Sequence, residues 1–473
     1  MTRLRAVVAV AVAGSVAACS IHKVTTNPAP PVQVPAQFSS GTGKAAGPNK
    51  WWLAFSDPQL NSLINQAMAG NLQLKSAWAR LSQAAAQVRA AGASRFPILT
   101  GSLTGYYTRS ASAFSGQVGS SAGFELSGAV SYEADLFKRV ASQADAAKLN
   151  AIASRDDVES IAMTLASQIA ETWFTILFER AQRKLLTDQV KTNKTFLELV
   201  EFRFKQGLVT ALDVYQQRQQ LVATEAQLVT VVSRLARAQN ALAVLVGKAP
   251  GNFSVAAGEE LPKLGALPAT GIPADLLLRR PDIRALRHRL VAADYQVASA
   301  VASRLPTLSL NPKGGLKGDS FNSGMFNNSI TAPFYTLAGA LTGVLFDWGR
   351  TSAEIDRNKS VVQEALYGFG QQLLVAIQEV ENALVLERQQ HLLIKNIEEQ
   401  LDLSNKSLEQ ARARYQAGLV DFLRVLTALQ NKQRLEVQLL GARRQLLSYR
   451  VQLCRALGGT WTRKLSAPKP AEL

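Results

Sequence analysis

The sequence predicts a mixed α+β membrane protein built from two tandem structural repeats, each combining amphipathic strands with two very long helices. Short motifs recur about 210 residues apart, long stretches lack proline and glycine, and several segments alternate between apolar and polar residues. A chain that uses one long unit twice is typical of a structural assembly with internal pseudo-symmetry, rather than of an enzyme with one asymmetric site.

The repeat is clearest in two glycine motifs. The first runs from Arg203 to Val209 (RFKQGLV) and the second from Arg414 to Val420 (RYQAGLV), so the glycines lie 211 residues apart. An earlier pair, Ser94–Pro97 and Ser303–Pro306, lies 209 residues apart. An offset of 211 also relates Leu212 to Leu423, Val214 to Val425, Gln219 to Gln430, Glu225 to Glu436 and Gly247 to Gly458.

The long helices are predicted by where helix breakers are missing. No proline occurs between residues 97 and 250 or between 333 and 468, and no glycine occurs between 138 and 206. A helix over the glycine-free stretch would be roughly 100 Å long, and its counterpart spans about 349–417. Heptad positions follow each glycine motif: Leu221, Leu228, Leu235 and Leu242 with Thr224, Val231, Ala238 and Leu245, then Leu439, Leu446 and Leu453 with Leu435, Ala442, Tyr449 and Ala456. This pattern predicts long helix packed on long helix.

Four strands are predicted from alternation with period two. Residues 124–136 place apolar side chains on one face and polar ones on the other, and residues 99–107 alternate in the same way. Residues 307–317, which include Pro312, and 337–345 give the third and fourth strands. Such strands suit lipid on one side and water on the other, although a soluble half-buried sheet is the alternative.

Four strands cannot close a barrel in a membrane. The smallest closed sheets have about eight strands, and open edges do not persist in lipid. If these strands span a membrane, the chain must therefore oligomerise: two copies supply eight strands and three supply twelve. A wide conduit favours three copies.

The N-terminus is predicted to be a targeting signal. Two arginines precede an apolar stretch, Ala6–Ala13, and small residues then lead to Cys19. This arrangement resembles a bacterial lipobox, so we expect cleavage before Cys19 and a covalent lipid on it. An ordinary signal peptide cut after Ala18 is the alternative. Ser20, rather than Asp, follows the cysteine, and this favours the outer membrane over the inner one.

The remaining composition predicts few chemical sites. Residues 27–48 are rich in Pro, Gly and Ser, and we expect a tether without a core. No later stretch has about 18 continuous apolar residues, so a membrane crossing would use strands. Cys454 is expected to be a small buried residue without a disulfide. We expect no metal and no cofactor other than the lipid on Cys19.

The net charge of +17 does not indicate nucleic acid, because the signal directs the chain out of the cytoplasm and the basic residues are spread along helices. The densest basic cluster comprises Arg279, Arg280, Arg284, Arg287 and Arg289, and we expect it to form a solvated helix face. An enzyme is not expected either, because the three histidines are scattered and no Walker loop, HExxH or Gly-x-Ser-x-Gly motif occurs.

Several motifs together suggest a family. The sequence contains Trp51-Trp52 with Phe55-Ser56-Asp57-Pro58, Leu278 to Arg284 (LRRPDIR), Asp135-Leu136-Phe137 with Arg139, Phe346 to Arg350 (FDWGR), and the two glycine motifs. With these motifs, nearly the whole chain resembles the TolC-type outer-membrane efflux proteins, in particular the lipoprotein branch that includes OprM-like and NodT-like members.

This resemblance implies a homotrimer in the outer membrane of a Gram-negative bacterium. Its fold would be a trimeric twelve-stranded transmembrane β-barrel, with four strands per chain, continued by a long periplasmic α-helical barrel. The implied partners are a periplasmic adaptor, an inner-membrane pump that we expect to be proton-driven, and outer-membrane lipid. The expected organisation is residues 1–18 signal peptide, 19–58 acylated N-terminus and tether, 59–249 repeat 1, 250–274 equatorial linker, 275–459 repeat 2 and 460–473 C-terminal tail.

The resemblance also assigns roles to residues near the two glycines. The turns would lie at the periplasmic tip, with Leu208-Val209 and Leu419-Val420 as exposed apolar pairs. Adaptor contact is carried over to Arg203, Gly207, Leu208, Val209, Arg414, Gly418, Leu419 and Val420. The alternative is that these glycines are ordinary helix caps.

A gate near the second tip is the least specific assignment. OprM-like members have an Asp and an Arg where this chain has Thr427 and Gln430, so that pair is missing. The positions expected to close the pore are Leu423, Asp421, Arg424, Leu212 and Asp213.

The expected function is a passive exit duct for drugs or other small molecules, which an adaptor and pump deliver. A duct for type I protein secretion is the closest alternative, because the same architecture can export polypeptides. A self-standing porin would not need heptad helices of this length, and a periplasmic coiled-coil scaffold would not need the alternating strands. The sequence names neither the substrate nor the adaptor.

Overall fold

The structure is a computed structural model that describes residues 22–39, 49–111, 118–251, 253–256, 258–319 and 330–467. The predicted signal peptide and Cys19 lie outside the described residues, so cleavage and acylation stay predictions. The free thiol at Cys454 is buried, as the sequence predicts.

The helices occupy the stretches where helix breakers are missing. Their bounds are α1 Pro58–Gly70, α2 Leu72–Ala93, α3 Arg139–Lys205, α4 Ala211–Val246, α5 Leu276–Arg279, α6 Pro281–Ala302, α7 Arg350–Gln416 and α8 Phe422–Ala456. Short 3-10 turns cover Trp51–Phe55, Pro273–Asp275 and Trp461–Lys464. The helices α3 and α7 have 67 residues each, and Gly368 and Gly370 do not interrupt α7. The predicted long helices are therefore confirmed.

The heptad pattern describes the packing of α4 and α8. In α4, Leu221, Val231, Leu235 and Leu242 are buried, and the remaining predicted seam positions are buried or half-buried. In α8, every predicted seam position is buried except Tyr449, which is half-buried. These side chains lie on one helix face because heptad spacing returns to the same side every two turns.

Two helices are long and apolar enough to pass a simple test for membrane spans. An 18-residue stretch of α3 has a mean hydropathy of 1.3 and is 61% buried, and one of α4 has a mean hydropathy of 1.2 and is 28% buried. Helices that pack inside a protein satisfy the same test. Neither stretch is continuously apolar, since Glu171 interrupts the apolar part of α3 and Arg234 that of α4.

The sheet is antiparallel and is formed by segments of both sequence halves. Its segments are β1 Ile98–Ala111, β2 Val118–Ala134, β3 Thr307–Leu310, β4 Lys313–Asp319, β5 Ile330–Thr336 and β6 Gly339–Thr342. β1 pairs with one edge of β2. The other edge of β2 pairs with β4 and β3, which pair in turn with β5 and β6. The described sheet therefore has the width of four strands, two of which are interrupted.

The predicted strand bounds need correction. The expected strand 307–317 breaks at Asn311–Pro312, because proline has no N–H for the ladder. The carbonyl of Pro312 still accepts from the N–H of Val130 at 2.8 Å, so the interruption is local. The fourth strand begins at Ile330 rather than at Leu337 and ends at Thr342, and β2 ends two residues before Leu136.

The predicted alternation gives the sheet one apolar and one polar face. Directly paired residues share a face, and the register places Leu103 beside Leu126 and Leu126 beside Leu316. All three leucines are exposed. On the opposite face the hydroxyls of Ser102 and Ser127 lie 2.9 Å apart. Nothing in the described residues covers the apolar face.

The chain forms two compact units. The sheet unit comprises Met1–Pro31, Leu81–Ser154 and Ala285–Phe369, and the helical unit comprises Val32–Arg80, Arg155–Arg284 and Gly370–Leu473, as far as these ranges are described. Each unit takes segments from both sequence repeats. The domain boundaries expected from the sequence stay a prediction.

The described part of the N-terminal segment, residues 22–39, has no helix or strand, as expected of a tether, but it makes isolated contacts with the rest of the chain. Within the helical unit, Phe38 is buried and the N–H of Ser39 donates to Glu381 at 2.8 Å. Within the sheet unit, His22 Nε2 lies 2.5 Å from the carboxylate of Asp294. Proline-rich composition did not reveal these isolated anchors.

The arginine cluster is also different from the expected solvated face. The side chains of Arg280 and Arg284 are only 8% and 11% exposed. Arg280 donates to Glu379 at 2.5 Å, and Arg284 donates to Asp156 at 2.6 Å. The LRRPDIR motif therefore ties the start of α6 to α7 and α3 through ion pairs. Each arginine has a second carboxylate partner, Asp282 for Arg280 and Glu159 for Arg284, so both buried charges are compensated twice.

Candidate functional site

The turns that join α3 to α4 and α7 to α8 have the same backbone geometry. We call residues 206–210 the first tip turn and 417–421 the second tip turn. The N–H of Leu208 donates to the carbonyl of Arg203 at 3.0 Å, and Leu419 donates to Arg414 at 2.9 Å. Gly207 and Gly418 have φ of 71° and 77°. The glycines thus close Schellman motifs, which require the left-handed conformation predicted for them.

The helices that follow the tip turns are capped by aspartates. Thr210 and Asp213 form a capping box at the start of α4, with the carboxylate of Asp213 accepting from the Thr210 N–H at 2.9 Å. Asp421 caps α8 and accepts from the N–H of Arg424 at 3.3 Å. Carboxylates at these positions also favour the positive end of the helix dipole.

In each predicted apolar pair at the tips, the leucine is exposed and the valine is half-buried. Leu208 and Leu419 are 67% and 74% exposed. Val209 and Val420 are half-buried and pack inward, so the expectation that both members of each pair are exposed is wrong for the valines. In each turn the leucine therefore faces outward, while the valine packs against buried residues of the hairpins.

A buried apolar cluster, which we call the tip core, joins the two helical hairpins. It consists of Val200, Val214, Tyr415, Phe422, Val425 and Leu426, and Val209 and Val420 pack against it. These residues come from α3, α4, α7 and α8, so the tip core holds the two tip turns side by side. Burial of apolar surface stabilises such a contact by about 25 cal/mol per Å².

The two glycine motifs are not equivalent in space, although they match in sequence. Tyr415 is 6% exposed, whereas its counterpart Phe204 is 45% exposed. The guanidinium of Arg203 lies 4.4 Å from the centre of the Tyr415 ring, an attractive cation–π arrangement between the two hairpins. Arg414 at the equivalent position is exposed. Tyr415 was not among the predicted contact residues, although both glycine motifs carry an aromatic residue three positions before the glycine.

The predicted gate residues lie within two turns of the tips. The leucines and Arg424 are exposed, whereas the two aspartates cap helices. Leu212 and Leu423 are 62% and 49% exposed, and Arg424 is exposed as well. Asp213 and Asp421 are used as helix caps, and neither joins the two hairpins through its described contacts. The gate assignment stays a prediction, and the leucines fit it better than the aspartates do.

A groove near the tips runs between the two hairpins. Its volume is about 660 Å³, and α3, α7 and α8 form its walls. The lining includes Asp188, Phe196, Glu409, Arg412, Lys432 and Glu436. The lining thus combines apolar, acidic, basic and amide side chains from these three helices.

The sequence matches one family model over both halves of the chain. The family is described as "Outer membrane efflux protein", and the match covers residues 63–248 and 272–459. These two ranges contain the strands, the long helices and both tip turns.

Curated relatives of this chain are similar over almost their whole length. "Pyoverdine export outer membrane protein OpmQ" of Pseudomonas aeruginosa is 31% identical over 445 residues, which covers 90% of each chain. "Cation efflux system protein CusC" of Escherichia coli K12 is 28% identical, with 95% of this chain and 98% of the relative covered. Among solved structures, the outer-membrane channel OprN superposes with a TM-score of 0.85 at 26% identity, over 92% of this chain and 99% of the other.

Proposed function

Because this chain belongs to the outer membrane efflux protein family, we propose that three copies assemble into the exit duct of a tripartite efflux system. The chain is an outer-membrane efflux channel. The proposal adds the trimer, a twelve-stranded barrel continued by an α-helical barrel, the contact with a periplasmic adaptor and an inner-membrane pump, and small molecules as cargo.

The amphipathic sheet is the observation that supports the proposed trimer. One face is apolar and exposed and the opposite face is polar, and the sheet has the width of four strands. In the described residues β1 pairs only with β2, and β5 and β6 form the opposite edge. Unpaired strand edges are costly in lipid, where water cannot satisfy them. Three copies that pair edge to edge would satisfy both edges and enclose a lumen lined by the polar face.

Small molecules are the favoured cargo. Relatives are named for export of pyoverdine and of cations, and another is named for solvent efflux. Such ducts take substrates that the inner-membrane pump selects, so the channel needs width rather than a tight binding pocket. A lipid on Cys19 would add an anchor beside the barrel.

The tip turns are proposed as the adaptor contact. Leu208 and Leu419 are apolar, exposed and held by Schellman turns, and a groove lined by apolar and charged side chains lies between the hairpins near the tips. Exposed apolar side chains on fixed turns lose little entropy on binding, because their backbone is already ordered.

Charged substitution of both leucines tests the adaptor contact. We expect Leu208→Asp with Leu419→Asp to weaken adaptor binding at least about tenfold, since two charges would be desolvated at the interface. Binding is measured with purified adaptor, and efflux is measured as drug susceptibility of the cells. Leu72→Asp is the matched control, because Leu72 is 71% exposed and lies outside the tips. Equal binding by the tip variant and by wild type would contradict the proposal.

The resting pore is proposed to close near the second tip, where Leu423 of each copy would meet in an apolar ring. The exposure of Leu423 in one chain supports this, since an apolar side chain is left uncovered there. Single-channel recording of Leu423→Ala is the test, and an unchanged resting conductance would exclude the ring.

A further inference from the structure

A cluster of neutral amide side chains lies above the tip core and connects the two hairpins. We call it the tip amide cluster; its members are Gln189, Asn193, Gln217, Gln220, Gln430 and Gln433. Asn193 and Gln217 are fully buried, and Gln433 is 6% exposed. Burying this many amides is costly unless they pair with one another. The cluster therefore has a role that apolar packing would not supply.

Gln433 on α8 is the centre of the cluster. Its Nε2 donates to Oδ1 of Asn193 on α3 at 3.0 Å, and its Oε1 accepts from Nε2 of Gln220 on α4 at 3.0 Å. Its backbone carbonyl accepts from Nε2 of Gln189 at 3.2 Å. One residue of the second hairpin thus contacts both helices of the first hairpin. Gln430, one turn away, adds a hydrogen bond to Gln220 at 2.9 Å.

The ion pairs near the tips do not make this connection, whereas Arg203 does contact the other hairpin, through its cation–π contact with Tyr415. The ion pairs Arg218–Glu201 and Lys194–Glu225 lie within the first hairpin, and Arg443–Glu398 lies within the second. In the described residues that flank the two tip turns, the side-chain hydrogen bonds between hairpins come from the amide cluster and from its acceptor Glu436. Neutral hydrogen bonds of this kind are not screened by salt as exposed ion pairs are.

One buried acceptor of the cluster makes no hydrogen bond in the described structure. Nε2 of Gln217 donates to the carbonyl of Asn193 at 2.9 Å, but its buried Oε1 accepts no hydrogen bond in the described structure. A buried acceptor without a donor is uncommon and costly. Gln217 contacts Asn193, which is also the partner of Gln433, so this unpaired acceptor belongs to the same hydrogen-bonded cluster.

We propose that Gln433 is the positioning residue that holds α8 against α3 and α4 in the resting channel, and that opening requires its amide to exchange partners. This inference rests on the proposed function and identifies the part of the duct that moves. Closure of the pore near the second tip then depends on the uncharged hydrogen bonds of Gln433, because the same helix, α8, carries Leu423 in its first turn. An outward movement of α8 would carry Leu423 with it.

The test compares Gln433→Leu with Gln390→Leu in the full-length channel. Gln390 is a matched control: it is 8% exposed, and its Nε2 donates to the carbonyl of Ala442 at 2.9 Å within the second hairpin. Both variants delete a buried amide, but only Gln433→Leu removes contacts between hairpins. We expect the open fraction of resting single channels to rise about tenfold for Gln433→Leu, and to stay at the wild-type value for Gln390→Leu.

Two further readouts separate positioning from simple loss of stability. The oligomer of Gln433→Leu is expected to melt within a few degrees of Gln390→Leu, while cells carrying it become more susceptible to a large polar antibiotic such as vancomycin. Gln433→Asn, which keeps an amide on a shorter side chain, is expected to open less than Gln433→Leu. The wild-type channel is expected to stay closed in both ~0.1 M and ~1 M KCl. The Debye length falls from about 10 to 3 Å over this range, but hydrogen bonds between neutral amides are not weakened by screening.

The outcomes distinguish this inference from the proposed function. A wild type that forms no channel in planar bilayers would overturn the proposed function. A wild type that forms a closed channel, together with a Gln433→Leu variant that stays equally closed, would overturn the role of Gln433 alone. Equal opening by Gln433→Leu and Gln390→Leu would also overturn it, because both would then act through general loosening of the helices.

Discussion

Single residues near the tips have roles that depend on their local backbone. Asp213 and Asp421 look like gate charges in the sequence, yet each accepts a hydrogen bond from a backbone N–H at a helix start. A carboxylate at this position satisfies a donor that the helix leaves open. Gln433, which no motif marks, is the residue that reaches both helices of the other hairpin. Chemical type alone did not distinguish these roles.

The two cysteines allow one prediction at the residue scale. Burial raises the pKa of Cys454 from 9.0 to about 12, so at pH 8 its thiol is protonated and enclosed. We expect no maleimide labelling of the native mature protein, and one labelled thiol per chain after denaturation if Cys19 is acylated. Two labelled thiols would contradict acylation, and Cys454→Ala is expected to show none.

The raised pKa also sets the sign of a stability change. Above about pH 9 the thiol ionises in the unfolded chain but not in the folded one, so stability falls as the pH rises.

The local sequence determines where helices and turns form, but the surrounding residues determine how strongly a substitution there destabilises the protein. Gly418 and Gly247 both end helices with a positive φ, of 77° and 81°. A Cβ at Gly418 would meet nothing within 4 Å, whereas one at Gly247 would lie 2.3 Å from the carbonyl oxygen of Gly70. The same turn is therefore tolerant at the tip and tightly packed where α4 meets α1.

These two glycines give a prediction at the scale of the element. Gly418→Ala is expected to cost about 1 kcal/mol through its left-handed backbone alone. Gly247→Ala must in addition displace the backbone of Gly70, so we expect a larger fall in the melting temperature of the oligomer. Thermal denaturation followed by circular dichroism measures both. A larger effect at Gly418 would show that other copies or partners press on the tip turns.

The whole molecule combines a sheet that has one exposed apolar face with long helices that pack on helices. No described residue covers the apolar face of the sheet, whereas the heptad faces of α4 and α8 are mostly buried. An exposed apolar face of this size is stable only against lipid or another copy. One chain therefore buries its heptad faces, but it leaves apolar residues exposed on the sheet and on the outer face of α4, such as Val229 and Val232.

Substitutions at two neighbouring residues of β1 test whether the apolar face of the sheet contacts lipid. Leu103 lies on the apolar face and Ser102 on the polar face. Leu103→Lys is expected to reduce assembly in the outer membrane, because lysine on the lipid face costs about 2–4 kcal/mol near the midplane. Ser102→Lys is expected to assemble normally and to shift ion selectivity toward anions. Heat-modifiable migration and reversal potentials measure the two effects, and equal assembly of both variants would argue against a lipid-facing side.

The sequence predicted features that depend on neighbours along the chain. Glycine and proline positions gave the ends of α3 and α7, and alternation gave the faces of β1 and β2. It did not predict the break at Pro312, the inward packing of Val209 and Val420, or the buried state of Arg280 and Arg284. The valine packing and the arginine burial depend on residues more than about 90 positions away, whereas the break at Pro312 is a local effect of the missing N–H.

By itself, the sequence determined the duplication, the long helices, the left-handed tip glycines and the two-faced strands, because steric and hydrophobic periodicity act within a few residues. Only the tertiary structure decided which hairpin residues meet, how the repeats diverge at Phe204 and Tyr415, and which amides connect α8 to α3 and α4. A polar side chain can cap its own helix or pair across an interface at nearly equal free energy. The packing of distant helices selects between these two outcomes.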